Sequence, residues 1–378
     1  MVDWPESAVP LYVPKEWETT RNASNPETCQ LTYDAASNLL KLVSNESKTP
    51  SGDPLVIDVL DPEDIVGVHV EIDMALASAT PRATDATTNN NSGRDSNAPA
   101  TDTPTDTQGH AVLNIYAYPR DDPNNPVESS SLSILRWCGL GSTHPKPNPK
   151  YKRPDPGTEE WQKWGNRYAF HRRFTVVASE DVGPLNALVR AIRQAAQLKS
   201  AEERGRALVM VNPKSGPKCN AEQLYEDIVN IVFDQASLDH DLCVTGYARH
   251  AEKRMAKGYS EEDDAKDISQ YTAIICMGGD GIMHECLQGI KDRDDWQEIF
   301  KKISFGIIGA GTSNGMAASI AKSSQQKSSI LDASYLIAKG YTKPTDISLY
   351  QTPTKSYFSF LTFSWAMMSS IDIESGKF

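Results

Sequence analysis

The spacing of apolar residues divides the chain into two stretches. Between Cys29 and Ser179 they come in short runs cut by polar segments. Leu55-Val56-Ile57-Asp58-Val59 is one run. In the next, Val68, Val70 and Ile72 alternate with His69 and Glu71, and a third is Val112-Leu113-Asn114-Ile115-Tyr116-Ala117-Tyr118. Alternation at period two, rich in Val, Ile and Tyr, predicts half-buried strands. Leu132 to Trp137 and Arg172 to Val177 extend the series. A helix closes it: Leu185, Leu188, Val189, Ile192 and Ala196 form an apolar stripe, with Arg190, Arg193, Gln194 and Lys199 on the other faces.

Three segments fall outside this pattern. Residues 1–25, rich in Pro, Glu and Asn, are expected to lack a core. Ala77 to His110 is a Thr/Asn/Ser/Asp/Ala/Pro stretch that buries too little surface to offset its ordering entropy, so we read it as a disordered insertion between two strands. Lys146 to Lys163, rich in Pro and Lys, reads as a second long loop. Antiparallel strands followed by one amphipathic helix have the layout of a pleckstrin-homology-like barrel, and equally of any small β domain with a trailing helix. Lys150, Lys152, Arg153, Arg172 and Arg173 read as solvated cations rather than as a phosphoinositide site.

After Ser200 the pattern changes. Apolar runs at Ala207–Val211, Leu242–Thr245, Ile274–Met277 and Phe305–Ile308 alternate with helical ones at Leu224–Phe233, Ala251–Met255, Ile282–Ile290 and Met316–Ile320. Such alternation predicts a parallel or mostly parallel sheet with helices on both faces, whose ligands bind outside the carboxyl ends of the strands.

Composition narrows the function. Lys and Arg number 38 against 50 Asp and Glu, a net charge of -12, which argues against nucleic acid as the main ligand. No apolar run approaches the ~20 residues of a membrane-spanning helix. The N-terminus lacks the basic and apolar regions of a signal peptide. Cys29, Cys138, Cys219, Cys243, Cys276 and Cys286 have no CxxC spacing and read as thiols in a reducing compartment, with the cytoplasm as the default location. The seven histidines show no metal spacing, and Glu261-Glu262-Asp263-Asp264 reads as a solvated loop.

Three loops follow predicted strands. In the first, Val211 to Lys218, Asn212 and Ser215 can hydrogen-bond locally, Gly216 allows close backbone approach, and Lys214 and Lys218 bring charge. Alone it is ordinary turn chemistry. The second, Met277-Gly278-Gly279-Asp280-Gly281, surrounds one Asp with three glycines and leads into a helix whose N-terminus favours an anion. In the third, Ile308 to Gly315, Thr312, Ser313 and Asn314 can donate to phosphate oxygens and Gly311 keeps side chains away. Taken singly, the third is a capped helix entry. Three such loops after neighbouring strands point to one shared phosphate site.

From about Arg204 onward, these loops resemble the diacylglycerol-kinase-type catalytic domain, and within it the sphingosine (long-chain-base) kinases. The specific pieces are Gly278-Gly279-Asp280-Gly281-Ile282-Met283-His284-Glu285, Ala310 to Ala317, and the stretch Trp365 to Ser375 containing Asp372. The resemblance implies that Asp280 accepts the proton of the lipid's primary hydroxyl. It implies that Asn212, Lys214, Thr245, Gly278, Gly279, Glu285, Gly311, Thr312 and Ser313 line the ATP site, and that Asp372 meets the lipid head. Ser215, Gly216, Gly281 and Asn314 join the nucleotide set as neighbours in the same loops. Mg²⁺ would travel with ATP.

The resulting expectation is an N-terminal β-rich, pleckstrin-homology-like domain (26–200, with insertion 77–110), a doubly wound α/β nucleotide-binding domain (204–345), and the incomplete start of a β-sandwich (346–378). The sandwich strands, Ile347–Tyr350 and Tyr357–Met367, are expected to have exposed edges and nowhere to bury them. We therefore expect a C-terminally truncated lipid kinase with weak ATP binding and little turnover. Its partners would be a sphingoid base and, peripherally, a membrane. Diacylglycerol or ceramide kinase is the near alternative. NAD kinase shares the Gly-Gly-Asp-Gly turn, and a catalytically inactive membrane-binding fragment is the alternative from another class.

Overall fold

The computed structural model describes residues 11–13, 27–34, 39–48, 51, 54–72, 109–119, 167, 170–178, 183–216, 219–260, 265–312 and 314–362. The Leu132–Trp137 run, most of the 77–110 insertion, the 146–163 loop and Glu261–Asp264 lie outside these residues.

The first part of the chain forms one antiparallel sheet. Its strands are β1 (Leu11–Val13), β2 (Glu27–Asp34), β3 (Leu39–Lys48), β4 (Pro54–Leu60), β5 (Ile65–Ile72), β6 (Gly109–Ala117) and β7 (Phe170–Ala178). The spatial order is β4-β3-β2-β1-β7-β6-β5. Helix α1 (Gly183–Ala195) lays its stripe of Leu185, Leu188 and Ile192 against Leu40, Leu42, Ile65, Leu113 and Ile115. One expectation is corrected here. Leu11–Val13, inside the stretch read as lacking a core, is a central strand that pairs with both β2 and β7.

After a one-turn helix α2 (Ala201–Arg204), closed by a Ser200–Glu203 capping box, the α/β part begins. Its elements are β8 (Ala207–Val211), a continuous helix in three pieces (α3, Ala221–Leu224; a π-helical stretch, Tyr225–Asn230; α4, Ile231–Gln235), β9 (His240–Val244) and α5 (His250–Met255). They continue with β10 (Ala273–Gly278), α6 (Asp280–Lys291), α7 (Trp296–Lys302), β11 (Ser304–Gly309), α8 (Gly315–Ser323) and α9 (Ile330–Lys339).

The four strands are all parallel, in the order β11-β10-β8-β9. Strands buried on both faces read as unbroken apolar runs, and β8 is buried along its whole length. Val209, Val211, Ile275, Met277 and Ile308 pack toward Tyr225, Val229, Phe233 and Tyr335; Leu208, Met210, Ile274 and Cys276 pack toward Met255, Ile282, Cys286 and Ile290. Gly278 pairs with Gly309, Met277 with Val211, and Val211 with Val244. All four carboxyl tips therefore lie in one row.

The β sheet and the α/β part share a sealed seam. Val66 and Tyr118 belong to the same buried cluster as Phe233 and Tyr335. Arg167 joins Asp64 at 2.8 Å, donates to the carbonyl of Tyr118 at 2.5 Å and to Gln326 at 3.0 Å, and stacks 3.6 Å over the Tyr335 ring. Asp332 lies 3.5 Å from the same guanidinium. The Lys339 ammonium, 1% exposed, donates to the carbonyls of Ile65 and Ala196.

The last described strands, β12 (Ser348–Gln351) and β13 (Ser356–Ser359), form an antiparallel pair. Leu349 and Tyr357 stay exposed, as expected of sandwich strands without their partner sheet, but the hairpin docks on α6 through Phe358. The Gln288 amide donates to the Phe358 carbonyl at 2.8 Å and accepts from the Phe358 N–H at 3.1 Å, while the Phe358 ring meets Trp296 and Phe300.

Candidate functional site: the carboxyl tips of the parallel sheet

The three loops meet at the strand tips through backbone contacts. The Asn212 N–H donates to the Met277 carbonyl, tying the end of β8 to that of β10, and the Ala310 N–H donates to the Gly278 carbonyl, tying β11 to β10. The Thr245 N–H donates to the Val211 carbonyl at 2.8 Å, which brings the tip of β9 into the row.

Close approach requires a glycine at Gly311 and leaves little room at Gly278. A Cβ at Gly311 would lie 2.6 Å from Gly279 Cα and 2.8 Å from Gly279 N, so the second and third loops touch backbone to backbone. A Cβ at Gly278 would press on Ser215 Oγ at 3.2 Å, Asn212 Cβ at 3.3 Å and Ile282 Cγ2 at 3.3 Å, so the first loop closes on the second.

Several polar groups in these loops hold the loops themselves. Asn212 Oδ1 accepts from the Lys214 N–H at 3.1 Å in an Asx turn, and the Lys214 side chain is exposed. Asn314, expected to donate to phosphate, accepts from the Gly311 N–H at 3.0 Å and donates back to the Gly311 carbonyl at 2.6 Å. An Asn three residues on from a glycine corner braces that corner and keeps its second amide N–H uncommitted by these two bonds. Thr312 is exposed, Gly311 half-buried.

Asp280 opens α6 and sits between the second and third loops. Its carboxylate accepts from the N–H groups of Gly315 at 2.7 Å and Met316 at 3.1 Å, so it caps α8. The sequence reading gave Asp280 a chemical role only; the geometry adds a structural one. A carboxylate has about four lone-pair positions, so two accepted bonds leave room for a third donor. The first N–H groups of α6 have no partner within that helix and point out of its N-terminus at the strand tips. Gly281 is exposed in this turn, and Glu285, one turn further on, is half-buried.

Beside β11 runs a cleft of about 1040 Å³, lined by Met283, Leu287, Phe305, Met316, Ile320 and Ile337 among others. Met316 connects its upper end to the Asp280 carboxylate. Among the described residues no group of His, Cys, Asp and Glu is arranged to hold a metal ion. Cys276 and Cys286, distant in sequence reading, lie with sulfurs 3.8 Å apart in the core, as free thiols. No described helix is long and apolar enough to cross a membrane. Ser313, Lys218 and Asp372 lie outside the described residues.

The glycine corners thus converge at the carboxyl tips of a parallel α/β sheet. Residues 206–350 match the family model of the diacylglycerol kinase catalytic domain. Over the same region the chain is 32% identical to sphingosine kinase 1 of Arabidopsis thaliana across 171 residues, 45% of this chain and 33% of that protein. It is 30% identical to human sphingosine kinase 2 across 179 residues, 46% of this chain and 26% of that one. Among solved structures, a diacylglycerol kinase of Bacillus anthracis matches at 25% identity with a TM-score of 0.30, covering 38% of this chain and 42% of that one. The match thus spans about a third or less of the length of these sphingosine kinases.

Proposed function

We propose that the chain carries the nucleotide-binding domain of an ATP-dependent lipid kinase that transfers the γ-phosphoryl group to the primary hydroxyl of a sphingoid base. The observation that carries the reading is the Gly279–Gly311 backbone contact. It puts the N-terminus of α6, the exposed Thr312 and the Asp280 carboxylate around one point. Phosphoryl transfer asks mainly for positioning and charge stabilisation, which backbone donors supply.

In this reading Asn212, Lys214, Ser215, Gly216, Thr245, Gly278, Gly279, Gly281, Glu285, Gly311, Thr312 and Ser313 surround the nucleotide. Asn314 shapes the loop that holds it. Mg²⁺ would arrive with ATP and offset charge on the β- and γ-phosphates. Asp280 orients the acceptor hydroxyl and takes its proton, Asp372 meets the lipid head, and the apolar cleft beside β11 lies on the acceptor's side. The sphingosine kinases among the relatives favour a sphingoid base over diacylglycerol. The β sheet with α1 fits a pleckstrin-homology-like layout and would supply peripheral membrane contact.

The test is a radiolabelled-ATP assay against sphingosine, diacylglycerol and NAD, with Asp280→Asn as the variant. Asn keeps one acceptor oxygen for α8 but cannot take the proton. Turnover should fall by about 100-fold or more while ATP affinity changes little. Near-normal rates in Asp280→Asn would remove Asp280 as the base, and phosphorylation of NAD alone would remove the lipid.

A further inference from the structure

The strand order carries information about how a nucleotide lies across the site. Asp280 stands between the tips of β10 and β11, through its bonds to Gly315 and Met316. The Asn212–Ser215 loop presses on Gly278, between β10 and β8. The tip of β9 is at the far end of the row. From β11 to β9 is three strand spacings, about 14 Å. A nucleoside triphosphate with its outermost phosphate at Asp280 and its inner phosphates over β10 and β8 must carry its base toward β9.

An aromatic platform stands there. Two residues beyond Thr245, Tyr247 keeps 43% of its surface exposed. Its ring is stacked on His250, with centroids 4.6 Å apart and planes 17° from parallel. His250 is buried and fixed at both nitrogens: Nδ1 accepts from the Gly246 N–H at 3.0 Å, and Nε2 shares a hydrogen bond with the Tyr259 hydroxyl at 2.8 Å. The His250 N–H closes the turn onto the Tyr247 carbonyl. The exposed Lys253 holds its ammonium over the Tyr247 ring, 4.8 Å from its centroid, and has to swing aside for a base to stack there. Arg249, in the same turn, pairs with Glu252 and feels the charge of Glu285, so the turn borders α6, the helix that Asp280 opens.

An exposed tyrosine needs no explanation by itself. One whose ring is pre-stacked, by a buried histidine anchored at both ends, has its conformational entropy already reduced before anything binds. We propose that Tyr247, oriented by His250, is the stacking platform for the nucleotide base. The inference rests on the phosphate site described under Proposed function and adds to it the residue that distinguishes a nucleotide from a bare polyphosphate. Stacking tolerates any base, so the platform sets affinity for a nucleotide rather than choice among purines.

The test compares two probes on the full chain by calorimetry, MgATP and Mg²⁺ with inorganic triphosphate. The wild type should bind ATP at least about tenfold more tightly than triphosphate. Tyr247→Ala should remove most of that ratio by weakening ATP alone, and Tyr247→Phe should keep it. An unchanged ratio in Tyr247→Ala overturns the proposal. So does a wild type that binds the two probes equally, which decides the matter even if Tyr247→Ala does not fold. If triphosphate binds and ATP gains nothing, only the platform fails. If neither probe binds, the phosphate site fails and the platform with it.

Discussion

The parallel sheet is secured in two places by opposite means. At its carboxyl tips the contacts are backbone against backbone, and the side chains there, Lys214, Thr312 and Asp280, are exposed or half-exposed. At the seam with the β sheet the polar groups are sealed. Arg167, Asp64, Asp332 and Lys339 are each less than 5% exposed; Arg167 meets Asp332 and Lys339 meets Ile65 across the seam, while Asp64 anchors Arg167 from its own side. Buried charge is usually a reason to suspect chemistry, but structural ion-pair networks bury charge too. Here the most deeply buried charges hold the molecule together, and the candidate site sits where water reaches. Glycine corners leave the tips free to accept a ligand; ion pairs and stacked rings leave the seam no such freedom.

The largest expected effect breaks the seam. Arg167→Met strands Asp64 and Asp332 in a buried environment without their cation and should cost about 3–5 kcal/mol of stability, read by urea unfolding. Triphosphate affinity in native buffer should change little, because no contact of Arg167 reaches the strand tips. A stability loss under about 1 kcal/mol would mean the seam admits water and the contrast between the two regions is false.

The second effect strikes the tips. Gly311→Ala drives a Cβ into the Gly279 backbone, where no side chain can swing aside, and the two loops must separate. We expect a stability loss of about 1–3 kcal/mol and at least a tenfold loss of triphosphate affinity. Gly315→Ala is the control. Its Cβ would sit 3.4 Å from Asp280 Oδ2, an ordinary contact, so it should bind as the wild type does. Equal behaviour of the two variants would show that the loops adjust freely, and that convergence at Gly279 is not what forms the site.

These two regions were not equally legible in the amino-acid sequence. The tips are built from contiguous residues, so Gly278-Gly279-Asp280-Gly281 and the Gly311 corner announced themselves, as did the strands and helices around them through their periodicity. The seam joins residues distant along the chain, Asp64 to Arg167 and Ile65 to Lys339, and no local pattern records such a pairing. Strand β1 has three residues, too few for a period to show. The bracing of Gly311 by Asn314 was not foreseen, because a side chain that can reach a ligand can also reach its own loop. Tyr247 gave no signal, since its role depends on the order of strands in space rather than on its neighbours in sequence.

The smallest effect concerns Lys339 and sharpens the same contrast. Burial pulls its ammonium down to about 8, against the opposing pull of Asp64, Glu63 and Asp61; Arg167 pushes in the same direction as burial. An unfolded lysine titrates near 10.4. Below about pH 8 both states carry the proton, and the cost of a buried cation is paid in full. Between about pH 8 and 10 the unfolded chain binds the proton and the folded chain has released it, so stability must rise with pH there, by at most about 1.4 kcal/mol per unit. The measurement is the difference in unfolding free energy between the wild type and Lys339→Met from pH 6 to 10, in which titrations common to both cancel. We expect it to be flat below pH 7 and then to climb by about 2 kcal/mol by pH 10 in the wild type's favour. The two carbonyls that Lys339 holds are bonded by ammonium and by neutral amine alike, so the climb reports burial of the charge and not loss of the contacts. A flat difference to pH 10 would mean that the ammonium stays charged in the seam, stabilised by Asp64 and Glu63, and that water or counter-charge reaches the one place the structure seals.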